Sequence, residues 1–137
     1  MRVLIAGASG LLGRATIRQF VNAGHSVTGL VRTREKARVI ESLGADAVIG
    51  DLFNISDVQR AAHDSKAILH LATSIPTRPW TTPTDWEMND RLRREGTEIL
   101  LRVAQESQAD SYIQQSIAFV YGDVQERWLT EEVEPKP

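Results

Sequence analysis

The residues with the clearest chemical potential are three glycines near the start of the chain. Gly7, Gly10 and Gly13 follow the apolar run at residues 3–6 and precede a stretch with helical periodicity. The first glycine permits a sharp turn, the second lets a phosphate approach the backbone, and the third lets the helix pack closely. The first amides of a helix lack partners within it and carry partial positive charge. This pattern predicts a phosphate-binding turn, with a plain strand-to-helix turn as the alternative.

The predicted phosphate-binding residues are Gly7, Ser9, Gly10, Leu11, Leu12 and Gly13. A Walker loop is excluded, because no Gly-Lys-Ser or Gly-Lys-Thr ends the turn. A strand, a glycine-rich turn and a helix in this order are typical of sites for the pyrophosphate of a dinucleotide.

Basic residues after the second apolar run indicate which dinucleotide would bind. An acid at this point accepts hydrogen bonds from the ribose 2′-hydroxyl of NAD, whereas a basic group binds the 2′-phosphate of NADP. Arg32 can bind a phosphate through two hydrogen bonds, and Thr33 adds a hydroxyl. We therefore expect NADP, with NAD as the alternative because Glu35 follows closely. Arg32 and Arg34 could instead only solvate a loop.

The segment Gly50-Asp51-Leu52 ends the third apolar run. The carboxylate of Asp51 could accept a hydrogen bond from the exocyclic amine of an adenine, and Leu52 could cover the ring. Aspartate is also common where a strand ends in a turn, so both explanations of Asp51 stay open.

Short apolar runs alternate with helical patterns along the chain, as in βαβ units. The runs lie at residues 3–6, 27–31, 45–49, 67–72 and 112–115. Continuous apolar runs suit parallel strands, whose two faces are both covered by helices. The predicted fold class is therefore α/β, a Rossmann-type parallel sheet of about five strands with helices on both faces.

Four helical patterns connect these runs. They cover residues 13–24, residues 36–43 with Gly44 as a C-terminal cap, a segment from Asn54 or Ser56 to Ala62, and residues 84–107. Residues 73–83 contain three prolines and are expected to be irregular at the carboxyl edge of the sheet. The acidic tail at residues 122–137 shows no strong periodicity and is also expected to be irregular.

The composition is that of one ordinary globular domain, which we take as residues 1–137. Hydrophobic residues make up 42%, charged residues 25%, and the formal net charge is −2. Such a chain lacks the basic footprint of a nucleic-acid-binding protein, and no apolar run is long enough to span a bilayer. The chain has no cysteine, and its three histidines are scattered, so we expect no metal site. We also expect a cytoplasmic protein. His70 ends an apolar run and is expected to be a core residue.

Taken in order, the motifs resemble the short-chain dehydrogenase/reductase superfamily, in its extended or atypical branch of NAD(P)-dependent epimerase/dehydratase-like proteins. The matching pieces are Gly7-x-x-Gly10-x-x-Gly13, Val31-Arg32, Gly50-Asp51-Leu52, His70-Leu71-Ala72, Gly96-Thr97 and Val120-Tyr121-Gly122. The resemblance implies a parallel sheet in the order 3-2-1-4-5. It also implies that Ala72 lies beside the nicotinamide ribose, and that Gln115 and Ser116 lie near the nicotinamide.

The chain departs from this family at the catalytic positions. The family's Tyr-x-x-x-Lys acid/base pair follows its Val-Tyr-Gly motif, but neither Tyr112 nor Tyr121 is followed at the fourth position by lysine. Ser116 lies one position from the family's catalytic serine or threonine, and Arg93 stands where the family often has asparagine. The catalytic residues stay unassigned, with Ser116 as a candidate.

The resemblance implies the NADP-binding part of a reductase, epimerase or dehydratase acting on a small polar substrate. We expect this chain to be catalytically incomplete, with the C-terminal substrate-binding region absent. The alternative is a non-enzymatic protein that senses NADP or acts as a scaffold. We also expect self-association, because the fifth strand would present an unpaired edge.

Overall fold

The computed structural model describes residues 1–122, 128–130 and 132–135. Its parallel sheet has the order β3-β2-β1-β4-β5, which confirms the predicted fold class and strand order. The strands are β1 (Arg2–Ala6), β2 (Ser26–Val31), β3 (Asp46–Ile49), β4 (Ala67–His70) and β5 (Ser111–Gln114).

The helices are α1 (Leu11–Asn22), α2 (Arg34–Glu41), α3 (Ile55–Ala61), α4 (Pro83–Arg91) and α5 (Thr97–Glu106). A π-helical turn, Leu92–Gly96, joins α4 to α5, and a short 3₁₀ helix, Ala118–Tyr121, follows β5. The side chain of Asn54 accepts a hydrogen bond from the Ser56 amide at 3.0 Å, so Asn54 caps α3, as predicted.

The core has two parts because both faces of the central strand are covered. Successive residues of β1 point to opposite faces, and all but the first are buried. Val3 and Ile5 belong to a cluster that contains Ile17 from α1 and Ile40 from α2. The opposite cluster contains Leu4 and Ala6 together with residues of α3 and α5, among them Val58, Leu100 and Val103.

The register of the strands brings their carboxyl ends to one edge. Ala6, the last residue of β1, lies opposite Leu30 of β2 and His70 of β4. His70 lies in turn opposite Gln114 of β5. The residues that follow the strands are therefore gathered along this edge, where open α/β folds bind ligands.

Two predicted boundaries are wrong for identifiable reasons. β4 ends at His70 rather than at residue 72, because its neighbour β1 ends at Ala6 and Gly7 turns away with φ of +85°. The helix expected at residues 84–107 contains the π turn and begins at Pro83. Proline fits the first helical position because its missing N–H has no partner there.

The predicted irregular tail is described only in part. Residues 128–130 and 132–135 lie in neither helix nor strand, whereas residues 123–127, 131 and 136–137 of this prediction lie outside the described residues. Within the described part of the chain, no helix has the length and apolarity needed to cross a membrane.

Candidate functional site

A pocket of about 490 Å³ runs along the carboxyl edge of the sheet. Eleven residues expected at the site from the sequence or its family resemblance line it: Gly7, Ser9, Gly10, Leu11, Leu12, Gly13, Arg32, Asp51, Leu52, Ala72 and Gln115. Two predicted residues, Thr33 and Ser116, are exposed and do not belong to its lining. The structure thus brings the three predicted segments together in one site.

The glycine-rich turn, Gly7 to Gly13, is shaped by hydrogen bonds at the start of α1. The Gly10 amide donates to the Gly7 carbonyl at 3.0 Å, and the Arg14 amide donates to the Gly10 carbonyl at 3.0 Å. The three helical amides before Arg14 precede the first intrahelical bond and are left for a ligand. The first turn of α1 has no acidic side chain, so no carboxylate offsets its partial positive charge.

Close packing explains two of the three glycines. A Cβ at Gly7 would lie 2.5 Å from the Ala72 nitrogen, and one at Gly13 would lie 2.3 Å from the Gly7 carbonyl oxygen. A Cβ at Gly10 would meet only the Gly7 oxygen, at 3.3 Å. The fold itself therefore requires the outer two glycines, whereas Gly10 faces open space beside the free amides.

The basic end of the pocket contains one residue more than the sequence predicted. Arg32 lines it from the end of β2, and Lys36 lines it from the first turn of α2. The Thr33 hydroxyl accepts a hydrogen bond from the Lys36 amide at 3.4 Å, so Thr33 caps α2 instead of facing the pocket. Hydrogen bonds from its own backbone amide and from Thr33 lower the pKa of Glu35, which also lies outside the lining.

Asp51, which follows β3 at the same edge of the sheet, makes two hydrogen bonds and also lines the pocket. Its Oδ1 accepts a hydrogen bond from the Phe53 amide at 3.0 Å, which is the turn chemistry considered above. Its own amide donates to Asp57 Oδ2 at 2.9 Å, and this bond, with Arg60, lowers the pKa of Asp57. Asp51 also lines the pocket, with Leu52 and Phe53 beside it. The two explanations of Asp51 are therefore compatible.

The opposite end of the pocket is more apolar. Leu71 and Ala72 line it after β4, Met88 and Leu92 line it from the α4 segment, and Gln115 lines it after β5. The backbone of Gln115 accepts a hydrogen bond from Arg93 at 3.5 Å. Arg93 thus supports the end of β5.

Two buried polar side chains form hydrogen bonds with the backbone of residues that line this apolar end of the pocket. Asn89 is 5% exposed, and its Oδ1 accepts a hydrogen bond from the amide of Ser74, a lining residue, at 3.3 Å. His70 is 2% exposed, and its Nε2 donates to the Leu92 carbonyl at 3.1 Å. Burial lowers the pKa of His70, and the charge of Arg93 adds to this effect. His70 is a core residue, as predicted.

The lining residues that the sequence reasoning missed are Ala6, Leu30, Val31, Lys36, Gly50, Phe53, Leu71, Thr73, Ser74, Met88 and Leu92. Lys36 could have been found, because it lies three residues after Thr33, a typical capping residue, and so in the first turn of a helix that follows Arg32 closely. Met88 lies four residues before Leu92 and extends the apolar stripe of that helix. Phe53 had no comparable signal.

A model of the NAD dependent epimerase/dehydratase family matches residues 3–137. Among curated relatives, a ketoreductase of Stigmatella aurantiaca that acts on 4-hydroxy-2-methyl-3-oxo-4-farnesyl-3,4-dihydroquinoline-1-oxide is 29% identical over 137 residues, which is 100% of this chain and 40% of that protein. The photosystem II assembly factor Ycf39 of Synechocystis is 35% identical over 88 residues, 64% of this chain and 27% of that protein. The chain spans between 24% and 40% of the length of the first such relatives.

Solved structures show the same fold. The UDP-glucose 4-epimerase of Thermus thermophilus, in complex with NAD, superimposes with a TM-score of 0.82 at 22% identity over 100% of this chain and 45% of that chain. A short-chain dehydrogenase/reductase superfamily protein from Agrobacterium tumefaciens, with bound NAD, gives 0.77 at 24% identity over 100% and 39%. Because the family model covers nearly the whole sequence, this chain belongs to the NAD-dependent epimerase/dehydratase family.

Proposed function

We propose that this chain binds NADP in the pocket at the carboxyl edge, as the cofactor-binding part of a reductase or epimerase-type enzyme. The observation that carries the proposal is the continuity of one pocket from the free amides of α1 to the side chains of Arg32 and Lys36. The glycine turn would hold the pyrophosphate, Asp51 and Leu52 the adenine, and Ala72 with Gln115 the nicotinamide end.

The residues present fit such a cofactor. Gly10 leaves an open cradle beside unpartnered amides, and α1 brings no carboxylate to its first turn. A dianionic pyrophosphate needs this combination of hydrogen-bond donors and positive potential. The lining also contains the apolar residues Leu71, Met88 and Leu92, which suit an aromatic ring better than a phosphate.

The preference for NADP over NAD rests on charge at the ribose end. Arg32 and Lys36 together bring two positive charges to the pocket lining, and Glu35 is engaged by hydrogen bonds at the start of α2. A hydrogen bond to a charged group contributes about 1.5–3 kcal/mol, which corresponds to roughly 10- to 150-fold in affinity. We expect NADPH to bind more tightly than NADH by a factor in this range.

When bound, the cofactor supplies the hydride chemistry, and the protein supplies orientation and electrostatics. In this chain the described lysines are poorly situated to assist a tyrosine near the nicotinamide. Lys36 lines the ribose end of the pocket, and Lys66 lies at the opposite edge of the sheet, next to the first residue of β4. Burial raises the pKa of Tyr112, which opposes its use as a base.

We therefore infer that residues outside this chain complete the catalytic site for a small polar substrate. Ser116 stays a candidate that this pocket does not include, and Gln115 is the residue after β5 that does line it. Self-association and a cytoplasmic location stay predictions of the sequence.

Titration calorimetry with NADPH and NADH tests the cofactor proposal. Arg32→Ala and Lys36→Ala should each weaken NADPH binding about tenfold or more and leave NADH binding within about twofold. Arg34→Ala is the matched control, because Arg34 is an exposed neighbour outside the lining and should change neither affinity. Equal affinity of the wild type for both dinucleotides would refute the preference for NADP, and binding of neither would refute the site.

A further inference from the structure

We propose that Arg91 is a positioning residue: it holds the ring of Phe53 in place at the adenine end of the pocket. This inference rests on the proposed function, since it concerns the same pocket. It begins from a contact between side chains that lie 38 positions apart in the sequence.

Phe53 belongs to the pocket wall beside Asp51 and Leu52. Its backbone is fixed, because its amide donates to Asp51 Oδ1 at 3.0 Å. Its side chain is half-buried, so packing restrains the ring only in part. A further contact is needed to give this part of the wall one defined shape.

Arg91, the last residue of α4, provides that contact. Its guanidinium carbon lies 3.8 Å from the centroid of the Phe53 ring, well within the range of a cation–π interaction. Its Nε donates to Glu95 Oε2 at 2.8 Å. The guanidinium is therefore held between a carboxylate and an aromatic face, and the carboxylate offsets much of its charge toward the pocket.

The backbone of Arg91 is placed just as firmly. The next residue, Leu92, begins the π turn, and its carbonyl accepts the hydrogen bond from buried His70. At the end of the turn, a Cβ at Gly96 would lie 3.1 Å from Leu52, so this helix also packs on the other residue of the adenine wall. The turn anchors Arg91 to the sheet, and Arg91 in turn fixes Phe53.

A wall formed before the ligand arrives binds more tightly than one that must be ordered on binding. An exposed cation–π contact is a modest interaction, so we expect Arg91→Gln to weaken binding of ADP-ribose about two- to fivefold. ADP-ribose carries adenine and pyrophosphate without a 2′-phosphate, so this probe does not depend on the preference for NADP.

The chain provides a matched control in Arg102. Its Nε donates to Glu106 Oε1 at 2.8 Å, the same four-residue spacing and distance as Arg91 and Glu95, but Arg102 lies on α5, whereas Arg91 at the end of α4 contacts Phe53. Arg102→Gln removes an ion pair of the same geometry without removing the contact with Phe53, and it should leave the affinity for ADP-ribose unchanged. Equal losses of affinity in the two variants would overturn the inference.

A double-mutant cycle separates positioning from simple charge. If Arg91 acts through the ring, Arg91→Gln should have no effect on affinity in the Phe53→Leu background. An undiminished effect in that background would mean that Arg91 acts as a charge on the phosphates, and the inference would be wrong. Failure of the wild type to bind ADP-ribose would instead contradict the proposed function.

Ring dynamics give a readout that needs no ligand. Carbon-13 relaxation of the Phe53 ring should report faster ring motion in Arg91→Gln than in the wild type, and no change in Arg102→Gln. Unchanged ring motion in Arg91→Gln would overturn the positioning role even if the dinucleotide binds as proposed.

Discussion

Replacement of Gly10 by alanine adds a single methyl group at the point where a pyrophosphate would meet the backbone. The conformation of Gly10, with φ of −72° and ψ of 174°, is accessible to any residue. Among the residues that the structure describes, the new methyl group would contact the Gly7 oxygen alone, at 3.3 Å. Alanine is a poorer helix cap than glycine, but it also reduces the entropy of the unfolded chain by about 0.4–1 kcal/mol. We expect stability to change by less than about 1 kcal/mol.

The affinity for the dinucleotide should respond much more strongly. The methyl group would keep a phosphate oxygen from the amides at the start of α1, and a hydrogen bond to a charged group contributes about 1.5–3 kcal/mol. Loss of one such bond weakens binding roughly 10- to 150-fold. Titration calorimetry with NADPH measures this change, and thermal denaturation followed by circular dichroism shows whether the variant is folded.

Gly13→Ala is the contrasting variant. Its Cβ would lie 2.3 Å from the Gly7 oxygen and 2.7 Å from the Ala8 oxygen, so the backbone must move. Overpacking of this kind costs about 1–3 kcal/mol or more, which lowers the melting temperature of a chain of this size by about 4–12 °C. If Gly10→Ala destabilises the chain as much as Gly13→Ala, or binds NADPH as the wild type does, the assignment of Gly10 to the ligand is refuted.

Three further outcomes are expected. Asn89→Ala removes the acceptor of the half-buried Ser74 amide and should lower the free energy of unfolding by about 0.5–1.5 kcal/mol in urea denaturation; an unchanged value would contradict the role of that bond. Burial lowers the pKa of His70 from 6.5, so the unfolded state binds a proton at this residue before the folded state does, and stability should fall as the pH drops below about 6.5. In His70→Gln the free energy of unfolding should depend less steeply on pH in this range. An identical pH dependence in the variant and the wild type would contradict this prediction. The 137-residue chain should oxidise no NADPH with small carbonyl substrates, and steady turnover in a spectrophotometric assay would contradict catalytic incompleteness.

The parts of the site that could be predicted from the sequence are those fixed by local chain order. Arg32 and Asp51 each follow closely on a strand, and parallel strands end at the same edge of a sheet. Once the apolar runs had located the strands, the positions of Arg32 and Asp51 at this edge followed without any knowledge of tertiary contacts. Ala72, which lies just beyond the end of β4, was expected at the site only from the family resemblance.

The parts that could not be predicted depend on contacts between distant segments. The π turn allows the Leu92 carbonyl to meet His70, a residue of β4 that lies 22 positions earlier. The sequence prediction assumed regular α-helical turns throughout this segment, whereas the π turn contains an extra residue. The contact of Arg91 with Phe53 likewise exists only after the end of α4 has packed against the segment between β3 and α3.

The sequence correctly placed the three glycines between a strand and a helix, but it could not show which of them bears on ligand binding. Gly7 must adopt a positive φ against the chain that follows β4, and Gly13 must let α1 approach the turn. Both would be required in a fold of this kind that bound nothing at all. Only Gly10 lacks a packing reason for having no side chain, because its Cβ position borders open space next to free amides. The functional information of the motif therefore lies in its middle glycine, which is why a single methyl group there is the most direct test of the site.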